Sequence, residues 1–139
     1  MKNTFKKPER LKSSREIGLL LSEGNHFNAH PLKVFWLSVS DQNSRFPAKA
    51  AFAVSKKNFK RAVDRNRIKR RLRESYRTNK QPLYNHLREN KVGLQVVFIY
   101  MAKEIYSYNR ILKGMRDALF RLIDNVSPEL NGRNDNNGK

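Results

Sequence analysis

The chain has 139 residues, of which 30 are lysine or arginine and 12 are aspartate or glutamate, so its formal net charge is +18 at pH 7. That length accommodates one domain with a real core, and the charge predicts a polyanionic partner, because each cation beside a phosphate displaces a condensed counterion. The lack of cysteine excludes disulfides and thiol chemistry and is compatible with the cytoplasm. No apolar run is long enough to predict a membrane span, and none predicts a signal peptide. Nucleic acid is therefore favoured over a membrane as the polyanionic partner.

The N-terminal part of the chain predicts a short arm followed by one helix. Residues 1–9 are polar and basic, and we expect them to form a flexible arm in front of a single folded domain that spans residues 10–126. Ser13 or Ser14 can cap the helix, and Gly24 is placed to end it. Apolar residues recur at helical spacing between these signals, at Ile17, Leu20 and Leu21.

Two strands are predicted next. Residues 32–39 are rich in aromatic and β-branched side chains and follow Pro31, which is typical of a strand. Residues 49–54 predict a second strand. Because the two are consecutive, we expect them to pair as a hairpin, through a loop too long for a two-residue turn.

The most informative segment is residues 56–80, which contains twelve lysine and arginine residues. Only Asp64 and Glu74 oppose them, so this segment carries +10 of the +18 charge. A helix is predicted that starts between residues 57 and 62 and ends near residue 78, because an apolar stripe recurs every four residues, at Ile68, Leu72 and Tyr76.

The rest of the chain predicts a helix, a strand, a helix and a tail. Residues 81–90 favour a short helix, because Pro82 supplies a preset φ near its start. Residues 94–101 are almost continuously apolar and indicate a central strand buried on both faces. Residues 108–123 return to helical spacing and predict an amphipathic closing helix, and residues 127–139 predict a disordered tail. The order α, β, β, α, β, α predicts an α+β fold with helices packed on a small sheet.

The cations of the basic helix surround its buried stripe. Successive residues differ by 100°, so charge borders the stripe on both sides and covers the outer face between. Lys69 and Arg73 lie on one border, Arg67 and Arg71 on the other, and Arg70 and Arg77 on the outer face. Solvated helices usually interleave acids with bases, whereas here the self-repulsion is left for an anionic ligand to relieve. The planar guanidinium groups of arginine form paired hydrogen bonds to phosphates and stack on bases, which favours RNA as the ligand. The amide of Asn66 either bonds a neighbouring loop or reaches the ligand.

These residues resemble a known family. Residues 54–57, the segment AVDRNRIKRRLRE at residues 62–74, and the pair Tyr76 and Arg77 are similar to the signature of the bacterial ribonuclease P protein subunit. The most specific part of this signature is Arg65, Asn66 and Arg67. A looser similarity extends over residues 10–124.

The resemblance implies a fold and a division of labour. The fold is α+β, a small mixed sheet packed with helices in an α-β-β-β-α-β-α-like two-layer sandwich (ribosomal protein S5 domain 2-like), with the basic helix in a left-handed βαβ crossover. The catalytic RNA subunit and its Mg²⁺ ions cleave precursor tRNA at the mature 5′ end, while the protein binds that RNA and the 5′ leader. The protein supplies no catalytic residue and binds no cofactor or metal by itself, and no protein partner or membrane is expected.

The resemblance also implies two sets of site residues. The predicted RNA-binding residues are Lys56, Lys57, Arg61, Arg65, Asn66, Arg67, Lys69, Arg70, Arg73 and Arg77. The leader cleft lies between the first helix and the sheet, where aromatic side chains stack on unpaired bases. Its predicted residues are Ile17, Leu21, Lys33 and Phe35, of which the two aliphatic ones can pack against a base but cannot stack on it.

Strand alternation divides the aromatic residues between the two faces of the sheet. Phe35 shares a face with Lys33 and Leu37, and Trp36 points the other way. We expect Trp36 in the core and leave Phe35 open between cleft and core. Tyr106 and Tyr108 either border the cleft or cap the core, and the core is favoured.

Other kinds of site are not expected. His26 and His30 have the spacing of a helical metal pair, but the surrounding Gly, Asn and Pro residues indicate a loop, and no third ligand follows. Glu16 and Glu23 are interpreted as surface partners of lysines. Two alternative functions stay open: a noncatalytic ribosomal or rRNA-binding structural protein and, less favoured, a DNA-binding architectural protein.

Overall fold

The computed structural model describes residues 4–40 and 46–126. Within these ranges, a short 3₁₀ helix at Lys7–Glu9 precedes four strands and four α-helices. The strands are β1 (Asn25–Ala29), β2 (Leu32–Ser40), β3 (Ala48–Val54) and β4 (Val92–Tyr100), and the helices are α1 (Ser14–Glu23), α2 (Ala62–Asn79), α3 (Gln81–Asn90) and α4 (Tyr108–Asn125). The predicted caps of α1 are confirmed: the Ser13 hydroxyl accepts a hydrogen bond from the Glu16 N–H at 3.2 Å, and Gly24 follows the last helical residue.

The four strands form one mixed sheet in the order β1-β2-β4-β3. β4 pairs antiparallel with β2 and parallel with β3, so the predicted hairpin between residues 32–39 and 49–54 is wrong. β4 is apolar on both faces and therefore takes the central position. The connection from β3 to β4 contains α2 and α3, which confirms that the basic helix lies in a βαβ crossover.

Strand β1 occupies a segment that the sequence indicated as loop. It pairs antiparallel with β2 at the edge of the sheet. His26 and Asn28 point to solvent, whereas Phe27 and Ala29 face the core. Asn and His have low strand propensity, so the pairing with β2 decides the conformation. His26 lies in a strand and His30 in the following turn, so they do not form a helical pair.

The main core lies between the sheet and the layer formed by α2, α3 and α4. The predicted stripe of α2 is fully buried there, and α4 buries Ile111, Met115, Leu119 and Leu122, whereas Leu112 and Ile123 of its predicted apolar side are half-buried. Trp36 packs against this core, as predicted. Burial of one such side chain contributes about 1.5–3 kcal/mol, and this packing holds α2 with its charged face outward.

A smaller cluster lies on the opposite face of the sheet, beneath α1. Its fully buried members are Leu11, Leu20 and Val97. Ile17 and Phe35 pack against them and are half-buried. Helix α1 therefore covers only part of this face and leaves an edge beside β2 accessible.

The N-terminal segment differs from the expected flexible arm. Phe5 packs edge-on against Phe52 and Tyr76, at ring-centroid distances of 5.6 and 5.7 Å. Glu9 is buried and forms an ion pair with the equally buried Lys80. The folded unit therefore includes residues 4–9.

Residues 1–3 of the predicted arm, residues 41–45 of the predicted loop and the predicted tail at residues 127–139 lie outside the described residues. None of the helices that the structure describes is long and apolar enough to cross a membrane.

Candidate nucleic-acid interface

A well-anchored loop leads from β3 into the basic helix α2. The hydroxyl of Ser55 accepts hydrogen bonds from the backbone N–H groups of Lys57 and Asn58, at 3.0 and 3.4 Å. Phe59 is buried and its ring lies 6.0 Å from that of Tyr100. The backbone of the loop is thus fixed while the side chains of Lys56 and Lys57 are exposed.

Arg65, the first arginine of the signature, holds this loop. Its Nη1 donates hydrogen bonds to the carbonyl oxygens of Phe59 and Lys60, at 2.8 and 2.9 Å. Arg61 forms an ion pair with Asp64 in the same turn, at 3.1 Å. Both cations therefore have partners within the protein, and their predicted contacts with RNA stay predictions.

The middle of α2 carries cations that pair with no acid among the described residues. Its two acids are engaged at the helix ends, Asp64 with Arg61 and Glu74 with Arg77. Hydrogen bonding from Arg77 lowers the pKa of the Glu74 carboxyl. Within the described ranges, the cations with no carboxylate inside ion-pair distance include Arg67, Lys69, Arg70 and Arg73.

Asn66 is exposed between the arginines that flank it, and within the part of the chain that the structure describes its amide bonds no neighbouring loop. The prediction that it reaches a ligand stays open. The middle turns of α2 therefore present a surface of one sign, with Asn66 at its edge. Such a surface concentrates polyanions and binds them in a salt-dependent manner.

The border of α2 that faces α4 makes a contact that the sequence did not reveal. Nη1 of Arg71 donates to the carbonyl oxygen of Tyr106 at 2.6 Å. The Tyr106 ring is half-buried against the main core, and the guanidinium carbon of Arg110 lies 3.6 Å from its centroid. Arg71 and Tyr106 are 35 residues apart in the chain, so no local pattern could connect them.

Three of the four predicted cleft residues come together on the face of the sheet beneath α1. Phe35 lies on the face opposite Trp36, which confirms the predicted alternation. The Lys33 Nζ lies 5.4 Å from the centroid of the Phe35 ring, and the centroid of the His26 ring also lies 5.4 Å from it. Ile17 borders the same cluster.

Leu21, the fourth predicted cleft residue, is 41% exposed and lies outside the packed cluster. Leu19, which was not among the predicted cleft residues, is 49% exposed.

The described residues bring together no group of three or more His, Cys, Asp or Glu side chains suited to a metal ion.

Comparisons with known proteins agree with the resemblance noted in the sequence. Residues 5–123 match the family model described as Ribonuclease P. The protein named Ribonuclease P protein component from Porphyromonas gingivalis is 34% identical over 120 residues, covering 86% of this chain and 87% of the relative. The protein of the same name from Chlorobium phaeobacteroides is 36% identical over 133 residues, covering 89% and 88%.

Solved structures show the same fold. The ribonuclease P protein from Thermotoga maritima superposes with a TM-score of 0.62 at 23% identity, over 81% of this chain and 96% of its own. The protein from Staphylococcus aureus superposes with a TM-score of 0.59 at 18% identity, over 82% and 94%. These identities support the fold alone, whereas the family match covers most of the chain. The chain belongs to the ribonuclease P protein family.

Proposed function

We propose that this chain is the protein subunit of ribonuclease P, which binds the catalytic RNA and the 5′ leader of precursor tRNA and assists Mg²⁺-dependent removal of that leader. Membership of the family supports the subunit assignment. The observation that carries the RNA-binding part is the run of unneutralised cations on the middle turns of α2, held outward by a fully buried opposite face.

The α2 surface is the proposed contact with the catalytic RNA. If Arg67, Lys69, Arg70 and Arg73 each neutralise one phosphate, the binding constant falls roughly 100-fold between about 50 and about 200 mM salt. Guanidinium groups add bidentate hydrogen bonds, which a point charge cannot form. Arg65 contributes indirectly, because it fixes the loop that presents Lys56 and Lys57.

The cluster beneath α1 is the proposed contact with the 5′ leader. Phe35 offers an aromatic surface on which an unpaired base can stack, a contact that contributes about 1–3 kcal/mol per base. Lys33 and His26 surround that ring and can face the adjoining phosphates. The exposed aliphatic side chains of Leu19 and Leu21 extend the apolar surface along α1.

We assign catalysis to the RNA subunit and its magnesium ions, and no catalytic residue to this chain. Among the described residues no three or more His, Cys, Asp or Glu side chains converge, so we place the magnesium ions on RNA phosphates and not in a cage built by this chain alone. The proposed role of the protein is to neutralise phosphate repulsion and to hold the leader, which lowers the Mg²⁺ concentration that the complex needs.

The test is 5′ cleavage of a labelled precursor tRNA by a bacterial ribonuclease P RNA at low, near-physiological Mg²⁺, with and without the folded protein. Lysozyme serves as a cationic control, and the RNA alone at high Mg²⁺ shows that it is active. Stimulation beyond lysozyme is expected. Stimulation no greater than that of lysozyme would refute the subunit assignment and favour a structural RNA-binding protein.

Leader recognition needs its own measurement, because stimulation alone does not reveal which RNA the cleft holds. Binding of the assembled enzyme is compared for precursor tRNA with a leader and for mature tRNA without one. Phe35→Ala is expected to lose about tenfold in affinity for the precursor only. An equal loss for both RNAs would show that Phe35 does not contact the leader.

A further inference from the structure

The junction between β4 and α4 carries an arginine whose guanidinium lies over an aromatic ring. The guanidinium carbon of Arg110 lies 3.6 Å from the centroid of Tyr106. Tyr106 itself is fixed at each polar group: its N–H donates to the Tyr100 hydroxyl at 3.0 Å, and its carbonyl accepts from Arg71 at 2.6 Å. Its hydroxyl lies 3.2 Å from Nε2 of His30. The ring is therefore a rigid support for Arg110.

The Arg110 guanidinium lies over the Tyr106 ring, and no described residue accepts a hydrogen bond from it. Arg110 is exposed, and across residues 4–40 and 46–126 it has no carboxylate within ion-pair distance. Immobilising a rotamer-rich side chain usually reduces the affinity that it contributes to binding. Here the stack fixes the side chain before any ligand arrives, while the fork remains available to a phosphate.

The opposite end of α4 provides a contrast. Arg121 also stacks on an aromatic ring, with its guanidinium carbon 4.5 Å from the centroid of Phe27. However, Arg121 forms an ion pair with Asp117 at 3.6 Å and donates to the carbonyl oxygen of Asn28. Its donors are engaged within the protein, whereas those of Arg110 are not.

Arg110 continues the basic surface of α2. Helices α2 and α4 run side by side in the same direction, since Arg71 contacts Tyr106 before α4 begins, and Asn79 near the end of α2 contacts Arg116. Arg67 lies one turn before Arg71 on the same border of α2, a rise of about 6 Å. Tyr106 contacts Arg71 through its carbonyl group and Arg110 through its ring, so Arg110 lies close to the border of α2 that carries Arg67 and Arg71.

We propose that Arg110, supported by Tyr106, binds a backbone phosphate of the catalytic RNA next to the phosphates bound by α2. This inference rests on the proposed function and extends its RNA surface from one helix to two. The ligand is an RNA phosphodiester, because the planar fork of donors and the positive charge of Arg110 match the geometry and charge of a phosphate.

The test measures the affinity of the full-length protein for ribonuclease P RNA as a function of salt. Arg110→Ala is expected to weaken binding about tenfold at low salt and to reduce the log–log salt slope by about 1. Arg110→Lys retains the charge and loses the fork, so its slope is expected to match the wild-type protein while its affinity falls. Arg121→Ala, about 16 Å further along α4, is the matched control and is expected to change neither quantity.

A second variant tests the support that Tyr106 gives to Arg110 without removing the arginine. Tyr106→Leu removes the ring and keeps an apolar side chain, and it is expected to lower affinity without changing the salt slope. Urea unfolding of each variant separates loss of fold from loss of contact. If Arg110→Ala and Arg121→Ala have the same affinity and slope while the wild-type protein binds the RNA tightly, the Arg110 contact is refuted and the proposed function stands. Wild-type binding no stronger than that of lysozyme would instead refute the proposed function.

Discussion

Replacing Lys80 by methionine tests how the N-terminal segment is held to the domain. Lys80 is 5% exposed and Glu9 is 1% exposed, and the two form an ion pair 71 residues apart in the chain. Lys80 also donates to the carbonyl oxygen of Thr4. Lys80→Met keeps most of the apolar stem and removes the charge, so the Glu9 carboxylate loses its countercharge in a buried site.

The magnitude follows from the partners that Glu9 retains. Its Oε1 still accepts the Tyr84 hydroxyl at 2.7 Å, and its Oε2 still accepts the Lys6 N–H at 2.8 Å. These bonds satisfy the oxygens without compensating the charge, and leaving a buried charge unpaired costs about 3–5 kcal/mol. That loss is a large share of the 5–15 kcal/mol or so by which a domain of this size is stable.

Urea unfolding followed by circular dichroism measures the effect. With a slope of about 2 kcal/mol per molar urea, the midpoint of Lys80→Met is expected to fall by roughly 2 M. The exposed pair of Arg121 and Asp117 provides the control, and Asp117→Asn is expected to cost less than about 1 kcal/mol.

The double variant Glu9→Gln/Lys80→Met decides whether the two charges are coupled. Removing both charges leaves no unpaired ion, so its stability is expected to lie within about 1–2 kcal/mol of the wild-type protein. A double variant as unstable as the sum of the two single variants would refute the reasoning, because the loss would then come from packing and not from an orphaned charge.

Three further predictions concern alkaline pH, helix glycines and anions. Burial raises the pKa of the Tyr76 and Tyr84 hydroxyls, so the stability that their protonated forms contribute is complete below about pH 10 and is lost as the pH rises towards the pKa values of the folded protein. The free energy of unfolding, measured by urea unfolding at a series of pH values, is therefore expected to fall by about 1.4 kcal/mol per pH unit for each tyrosine. Tyr76→Phe is expected to remove the contribution of one tyrosine to this slope. Gly18→Ala is expected to raise the free energy of unfolding by about 0.5–1 kcal/mol, because a Cβ at that position meets nothing within 4 Å. Gly114→Ala is expected to lower it by about 1–3 kcal/mol, because its Cβ would lie 2.7 Å from the His30 carbonyl oxygen. Thermal unfolding of the two variants checks both signs. Millimolar pyrophosphate is expected to raise the unfolding midpoint by binding the cations of α2, and no shift relative to chloride at equal ionic strength would contradict that.

Local signals predicted the helices well, because each signal lies within the segment that it describes. Ser13 and Gly24 are the caps of α1, and the four-residue period of α2 is the stripe that the core buries. The continuous apolar run at residues 94–101 has one stable location in a sheet, the centre, and β4 occupies it.

Strand partners could not be predicted in the same way. Residues 32–39 and 49–54 are consecutive strands in the chain, which favours a hairpin. In the structure, β4 lies between them and pairs with β2 along one edge and with β3 along the other. Likewise, β1 forms because β2 supplies its hydrogen-bond partners, and nothing in the composition of residues 25–29 indicates a strand. These features depend on contacts distant in sequence.

The site was predicted as a set of residue types, and the structure separates that set by what each side chain already contacts. Arg65 and Arg71 resemble their neighbours in sequence, yet both donate to backbone carbonyls within the protein. Arg110 was not predicted, because its significance depends on Tyr106 beneath it and α2 beside it. Only the tertiary structure distinguishes a cation that supports the fold from one available to a ligand.

The positions of the two acids in α2 explain how the helix tolerates its charge. Asp64 lies in the first turn, where a carboxylate also favours the helix dipole, and it pairs with Arg61. Glu74 pairs with Arg77 towards the other end. Both acids therefore reduce repulsion near the ends of α2, and within residues 4–40 and 46–126 the cations at residues 67–73 have no carboxylate within ion-pair distance. Glu74 lies one turn from Arg70 but pairs with Arg77, and engaging both acids near the helix ends leaves the cations between them available to the phosphates of the proposed RNA ligand.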